Sequence, residues 1–516
     1  MEEILKRAET VVSRRSFAKL LGAAGALSLI ETSAIVRAFA ESKHSIPWLA
    51  AQTASGEGFF TNLKIEGKIP ASLNGTLFRT APGQSENHGT QLRHLFDGDA
   101  FLSAWQFENG RINLQARFLD TPQRTEESQV GAMLYGEFGT PAPARSSILA
   151  APKYAGKNQP NINIIRWHDK LLGLSEGSLA TVINPKTLTY EGNWNFGNND
   201  LNKLTFTAHP RFCPKTGDGY AWGFERGSSG MHVLRLDAQT GKAETLYKQP
   251  LDAFYMAHDA MLTENYLMIV VPPMRYDLGA LLTGKAATVA EALKYYENEP
   301  AQLFVFPRDN KNGAAQPVVI NLLSHLVFHH GNAFETPNGQ ITLDTIFATD
   351  RRLLDVLANW KLDRSISYEK QKLMRLTIDL GRREIVGRTE IGENVEFPRY
   401  DARLTANNAR YLYAVERGYA DNAAIVRFDL HKQTERKAFA GANRTFGEPV
   451  FVPRGNAAAT ARLDEERGWL LTQGYDAVRD ETFLDVRDAA TLESAARVWV
   501  SGQHFPLGFH GNFYQS

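Results

Sequence analysis

From about residue 45 onward, apolar and polar positions alternate in short runs joined by tight polar turns. Five segments repeat one plan: 180–194 (ATVINPKTLTYEGNW), 232–248 (HVLRLDAQTGKAETLYK), 374–391 (MRLTIDLGRREIVGRTEI), 425–440 (IVRFDLHKQTERKAFA) and 483–500 (FLDVRDAATLESAARVWV). Each pairs two period-two strands across a turn entered by Asn or Asp, residues whose side chains bond the turn backbone. No linker, low-complexity tract or charge run interrupts residues 45–516. The pattern predicts an all-β fold, a β-propeller whose blades are such hairpins with their neighbours. A pair of β-sandwiches competes, but it would show a boundary. The main helical candidate, Leu278–Glu297, reads as an insertion between strands.

The first 40 residues follow a different pattern. Arg14 and Arg15 precede Phe17 and Lys19, then a mildly apolar Gly/Ala/Leu segment that ends in the small-residue pattern Ala38-Phe39-Ala40. This resembles a twin-arginine (Tat) signal peptide, residues 1–40, ahead of a propeller domain at 41–516. The apolar run Leu20–Ile30 is short for a membrane span, and Glu31 interrupts it. The expected location is periplasmic, with the Tat export machinery as a partner. That machinery carries proteins already folded, which suits a chain that takes up a cofactor before export.

Composition narrows the chemistry. Of 516 residues, 43% are hydrophobic and 22% charged, as in globular proteins. A formal net charge of +0 gives nucleic-acid binding no electrostatic support. The single cysteine, Cys213, excludes an intramolecular disulfide and thiolate cluster sites. A metal must therefore be held by His, Asp or Glu.

Histidines recur in one setting, at the ends of strand-like runs beside small or turn-forming residues: His209 in FTAHPRF, His258 in YMAHDAML, His329 or His330 in VFHHGNAFE, and His510 in LGFHGNF. Neighbouring strand residues face opposite ways, so His329 and His330 cannot share one face. A single such histidine is ordinarily a core residue bonded to the backbone. In a propeller, though, inner strands of separate blades aim at one axis, and imidazoles from several can converge there. Imidazole suits Fe, Cu, Zn and Ni. Glu176, Glu396 and Glu448 also lie in apolar strand contexts; a carboxylate is ordinarily a surface charge, which the flanking apolar residues and proline turns disfavour here, and the functional alternative is to orient metal-bound imidazoles.

The motifs HLFDGDAFL, AHPR, HDAMLTENY, FHHGNAFE, EFPRYD, GEPVFVPR and GFHG occur in the order found in the carotenoid cleavage oxygenases, and the chain resembles that family over residues 45–516. The resemblance implies a seven-bladed propeller with a loop and helix dome over an axial Fe(2+). It also implies His209, His258, His329 and His510 as metal-binding catalytic residues, with Glu176, Glu396 and Glu448 around them. In the family pattern two variable residues separate the ligand from an Asn, as they separate His329 from Asn332, which leaves His330 to packing. Two positions depart from the pattern. Ala100 replaces the last glycine of the family's DGDG signature, and Ile162 stands where several relatives carry a threonine near the iron.

The implied reaction is dioxygenase cleavage of a carbon–carbon double bond, with O2 and an apolar alkene giving two carbonyl products. The implied substrate is a carotenoid or apocarotenoid, with a hydroxystilbene as the alternative. Stilbene-cleaving relatives use a lysine soon after the signature to hold the phenol, and no lysine occurs between Lys68 and Lys153. A tunnel for so apolar a substrate should open on a patch able to touch a membrane, to which Leu278–Glu297 could contribute. The rivals are a copper- or quinone-dependent propeller and a non-catalytic binding module with structural metal.

Overall fold

The computed structural model describes residues 46–143, 156–310, 313–349, 351–359, 370–416, 423–454 and 467–516. The expected signal peptide and its junction with the propeller lie outside these residues, and among them no helix is long and apolar enough to cross a membrane.

Seven antiparallel sheets of four or five strands form the seven blades of a propeller. Each blade begins at the axis with one strand: Gly511–Gln515, Asn163–Trp167, Arg211–Phe212, Ala260–Leu262, His330–Glu335, Val395–Arg399 and Arg444–Pro453, for the first to the seventh blade. Two blades are completed by distant chain. In the first, Gly511–Gln515 pairs with Gly75–Pro82; in the seventh, Lys64–Gly67 is added to the outer edge of Ser494–Val500.

The five predicted hairpins form the two outermost strands of four blades and, in the seventh, the two strands just inside Lys64–Gly67, and their turns share one geometry. Asn184, Asp237, Asp379, Asp429 and Asp488 each accept turn N–H bonds on the side chain. Four residues later stand Leu188, Gly241, Arg383, Gln433 and Leu492, all left-handed, with φ of 55°, 72°, 56°, 54° and 62°. Only one is glycine, so the side-chain bonds help hold a conformation that costs other residues about 1–2 kcal/mol.

Adjacent blades are joined by apolar clusters, one for each of the seven interfaces. Middle strands are covered on both faces, which explains continuous apolar runs such as Tyr266–Val271. There Leu267 and Ile269 pack toward the third blade, while Met268 and Val270 pack toward the fifth. This double coverage excludes the two-sandwich reading.

The expected helix at 278–297 is instead divided. Helix Leu278–Thr283 ends at Gly284, left-handed at φ 74°; a second turn, Val289–Ala292, is capped by Thr288; and strand Leu293–Tyr295 then pairs with Met274–Tyr276. The glycine cap stops the helix that its apolar spacing predicts. The segment is still an insertion, between the second and third strands of the fourth blade. A helix not foreseen, Pro122–Val130, carries ordinary stop and start signals: Thr121 as N-cap, proline at its first turn and Gly131 at its end.

Candidate active site

Four inner strands begin immediately after, or within one residue of, a histidine. These are His209, His258, His329 and His510, all buried, and their nearest ring nitrogens lie within 4.8 Å of one another. His209 Nε2 is 3.0 Å from His258 Nε2, and His329 Nε2 is 3.0 Å from His510 Nε2. Two imidazole nitrogens at right angles on one ion, each about 2.1 Å from it, would be about 3.0 Å apart. The donor set and its spacing therefore fit a single metal ion.

The adjacent histidines separate as strand geometry requires. His329 joins the cluster; His330 turns to the other face, where its Nδ1 meets Thr345 Oγ1 at 2.8 Å. Burial pushes the His330 imidazole down to about 3, so it is a neutral packing group.

Each of the three predicted glutamates reaches one histidine. Glu396 Oε2 lies 2.6 Å from His329 Nδ1, and Glu448 Oε1 lies 2.9 Å from His510 Nδ1. Glu176 Oε1 is 2.8 Å from His258 Nδ1 but outside good hydrogen-bond alignment. Among the described residues no carboxylate reaches His209, whose backbone N–H donates to Thr207 Oγ1.

β-Bulges aim two of these carboxylates. The ladder shifts after Glu396 and after Phe446, interrupting strict alternation where Glu396 and Glu448 turn to the axis. Phe397 takes φ 56°, a costly conformation for an aromatic residue, and its ring packs 5.2 Å from that of His329.

Burial, reinforced by the other three imidazoles, holds His209 well below the ordinary histidine range. Burial also lowers His510, to about 4, against the pull of Glu448. His258 is raised, because Glu176 outweighs its burial. Burial alone would raise Glu448, but Arg399 and His510 outweigh it and hold that carboxyl at about 2.

A cavity of about 1300 Å³ reaches this cluster, with Phe96, Phe138, Met256, Phe328, Leu353 and Phe509 among its walls. Ile162 and Glu176 line it beside His258, His329 and His510. Ile162 thus presents an apolar group to the cavity, while its carbonyl accepts the N–H of His510.

The DGDA signature works as a clamp. Asp97 accepts from Gly139 N and Thr140 Oγ1, Gly98 takes φ 120°, and Asp99 pairs with Lys157 at 2.7 Å. Ala100 already lies in a strand, so its methyl packs in the core without backbone strain. Behind the clamp Glu137 accepts Gly98 N–H at 2.5 Å; burial, then Asp97, raise its carboxyl from 4.5 to about 8. Its folded-state proton stabilises the protein fully below pH 4.5, and that stability is lost as pH rises through about 8. Glu137→Gln should therefore flatten the alkaline side of the stability profile. Its Tm relative to wild type should be higher at pH 9 than at pH 6; an equal offset at both would place the proton elsewhere.

The retinal pigment epithelial membrane protein family model matches residues 51–515. The chain belongs to that family, the carotenoid cleavage oxygenases. This carotenoid cleavage oxygenase is 30% identical over 466 residues to the apocarotenoid-15,15'-oxygenase of Synechocystis, covering 88% of this chain and 92% of that one. It is 24% identical over 485 residues to resveratrol cleavage oxygenase 1 of Aspergillus fumigatus (89% and 93% covered), and 28% over 442 residues to isoeugenol monooxygenase of Pseudomonas putida (80% and 88%). The crystal structure of the cobalt-substituted Synechocystis enzyme superposes with a TM-score of 0.81 at 29% identity, over 91% of this chain and 98% of that one. The oxygenase is a non-haem iron family enzyme with a four-histidine metal site.

Sequence reasoning missed the residues that support this site. Arg399 contacts Glu448 at 3.3 Å, and Gln371 donates to Glu396 at 3.1 Å. Arg399 lies within the EFPRYD motif, which could have pointed to it; Gln371 has no motif around it.

Proposed function

We propose that the protein is an Fe(2+)-dependent dioxygenase that cleaves a double bond of an apocarotenoid or carotenoid to two carbonyl products. The observation that carries this reading is the convergence of four buried imidazoles, three of which line a large, mainly apolar cavity. His209, His258, His329 and His510 would hold the iron, which supplies oxygen activation when bound. Glu396 and Glu448 accept from, and so orient, two of the imidazoles, Glu176 stands beside a third, and the negative charge of all three offsets part of the metal's. The aromatic and aliphatic walls exclude water and align an extended polyene along the cavity, with gains of roughly 25 cal/mol per Å² of apolar surface covered.

The choice of a polyene over a phenolic stilbene rests on Lys157. It borders the cavity, yet its side chain is fully buried, with Nζ 2.7 Å from Asp99 and 2.6 Å from Glu127. An ammonium with no exposed surface offers a phenol no contact, and an unpaired buried hydroxyl costs about 1–3 kcal/mol. The test is incubation of iron-loaded protein in air with apocarotenals and with 4-hydroxystilbenes, with aldehydes read by mass spectrometry. Higher kcat/KM on apocarotenals is expected; turnover of hydroxystilbenes alone would reverse the choice.

Two further elements complete the proposal. The twin arginines support export to the periplasm by the Tat route, and exposed Leu282 and Tyr296 in the 278–297 insertion support peripheral contact with a membrane surface.

Glutamine at the three carboxylates should lower metal affinity by roughly 10–100-fold, most at Glu448 and least at Glu176, whose side chains are 1% and 25% exposed. Chelator competition measures the order; equal losses at all three would mean that burial does not grade their effect.

A further inference from the structure

Arg211, Asp259, Asn332 and Asn512 of the histidine motifs, together with Asn163 and Arg399, bind no ligand in the reading above. Their side chains form a circuit. Asn163, at the start of the second blade's inner strand, donates to the carbonyl of Ala208, next to His209 in the third. Arg211, two residues past His209, grips both carboxylate oxygens of Asp259 at 2.7 and 2.6 Å and donates to the carbonyl of Ala260 in the fourth blade. Asp259 in turn accepts the backbone N–H of His330, in the fifth, at 2.9 Å.

Asn332 carries the path from the fifth blade to the sixth by donating to the carbonyls of Leu404 and Asn407. From the sixth, Arg399 reaches Glu448 in the seventh, and also the carbonyl of Gly511 and Oδ1 of Asn512 in the first. Glu448 accepts Gly511 N–H at 3.0 Å. Asn512 closes the path by donating to Asn163 Oδ1 at 3.1 Å and to the carbonyl of Ile164 at 2.9 Å. All seven blades are linked, and every histidine of the cluster lies within three residues of a link.

We propose that Asn163, Arg211, Asp259, Asn332, Arg399 and Asn512 are positioning residues, a closed circuit that holds the four imidazoles at one span and thereby sets the metal's geometry. The inference rests on the reading of those histidines as metal ligands. Blades packed through apolar clusters can slide slightly, since apolar contact is non-directional. Directional bonds between successive inner strands remove that freedom at the height of the metal.

A matched control exists in the same fold. Arg375 and Asp344 form an ion pair in the middle strands of the fifth blade, with side chains 19% and 2% exposed, against 20% and 1% for Arg211 and Asp259. That pair lies outside the circuit.

The experiment uses full-length protein loaded with Co(II), with the cobalt absorption bands, Co(II) affinity and Tm as readouts. Arg211→Lys and Asn512→Ala should each shift the bands and lower affinity about tenfold. Their double variant should lose less than the product of the two, because a circuit already open gives up little at a second break. Arg375→Lys should lower Tm and leave the bands in place. Asn512→Ala removes no charge and carries the test alone if Arg211→Lys does not accumulate. Bands unmoved in both circuit variants, or independent losses in the double variant, overturn the proposal. Wild-type Co(II) affinity in His209→Ala would instead defeat the ligand assignment beneath it.

Discussion

Alanine at any one of His209, His258, His329 or His510 is expected to abolish metal retention and double-bond cleavage together. The loss should exceed the roughly 10–100-fold that follows from removing a residue behind a ligand. Each side chain supplies one of four converging nitrogens. An alanine leaves three imidazoles around a gap that no other described His, Cys, Asp or Glu fills. His330→Ala provides the contrast. It deletes a neutral imidazole bonded to Thr345 and opens a small void, costing about 2 kcal/mol of stability while metal is kept. Metal analysis of the five purified variants decides the matter. Equal metal loss from His329→Ala and His330→Ala would defeat the assignment of opposite strand faces.

The second large effect concerns folding. Lys157→Met should destabilise the protein by about 3–5 kcal/mol, because it strands two buried carboxylates, Asp99 and Glu127, without their shared cation. Arg124 remains on Asp99 at 3.0 Å, and Asn87 and two backbone N–H groups remain on Glu127, so the fold should survive in weakened form. Charge-pair stability present at neutral pH should fade in wild type as pH rises through the elevated pKa of Lys157, where its attraction to the Asp99 and Glu127 carboxylates ends. Urea unfolding across pH measures both effects. A variant as stable as wild type at pH 7 would show that Lys157 contributes nothing net.

Much of the architecture is legible in the chain because its cause is local. Asp237 and Gly241 mark a turn by side-chain bonding and left-handed backbone, and the same spacing recurs at Asp488 and Leu492. The ligand histidines are legible because each stands at the mouth of an inner strand, beside a motif. What cannot be read is set by tertiary context. Nothing near Glu396 announces the bulge that turns it toward His329. Leu278–Glu297 has helical spacing throughout, yet Gly284 and the pairing of Leu293–Tyr295 with Met274–Tyr276 divide it. Lys157 shows no pattern at all; its partners come from a turn and a helix distant in the chain.

The closure of the first blade has a consequence for biosynthesis. Its inner strand, Gly511–Gln515, pairs back to Gly75–Pro82, and the residue before it is His510. A ribosome therefore makes three of the four imidazoles and every strand of the second to seventh blades before it makes the fourth imidazole or the strand that joins the two ends of the ring. A nascent chain halted anywhere earlier can assemble three imidazoles at most. A product ended before residue 510 therefore lacks both the latch between the ends of the ring and the fourth imidazole.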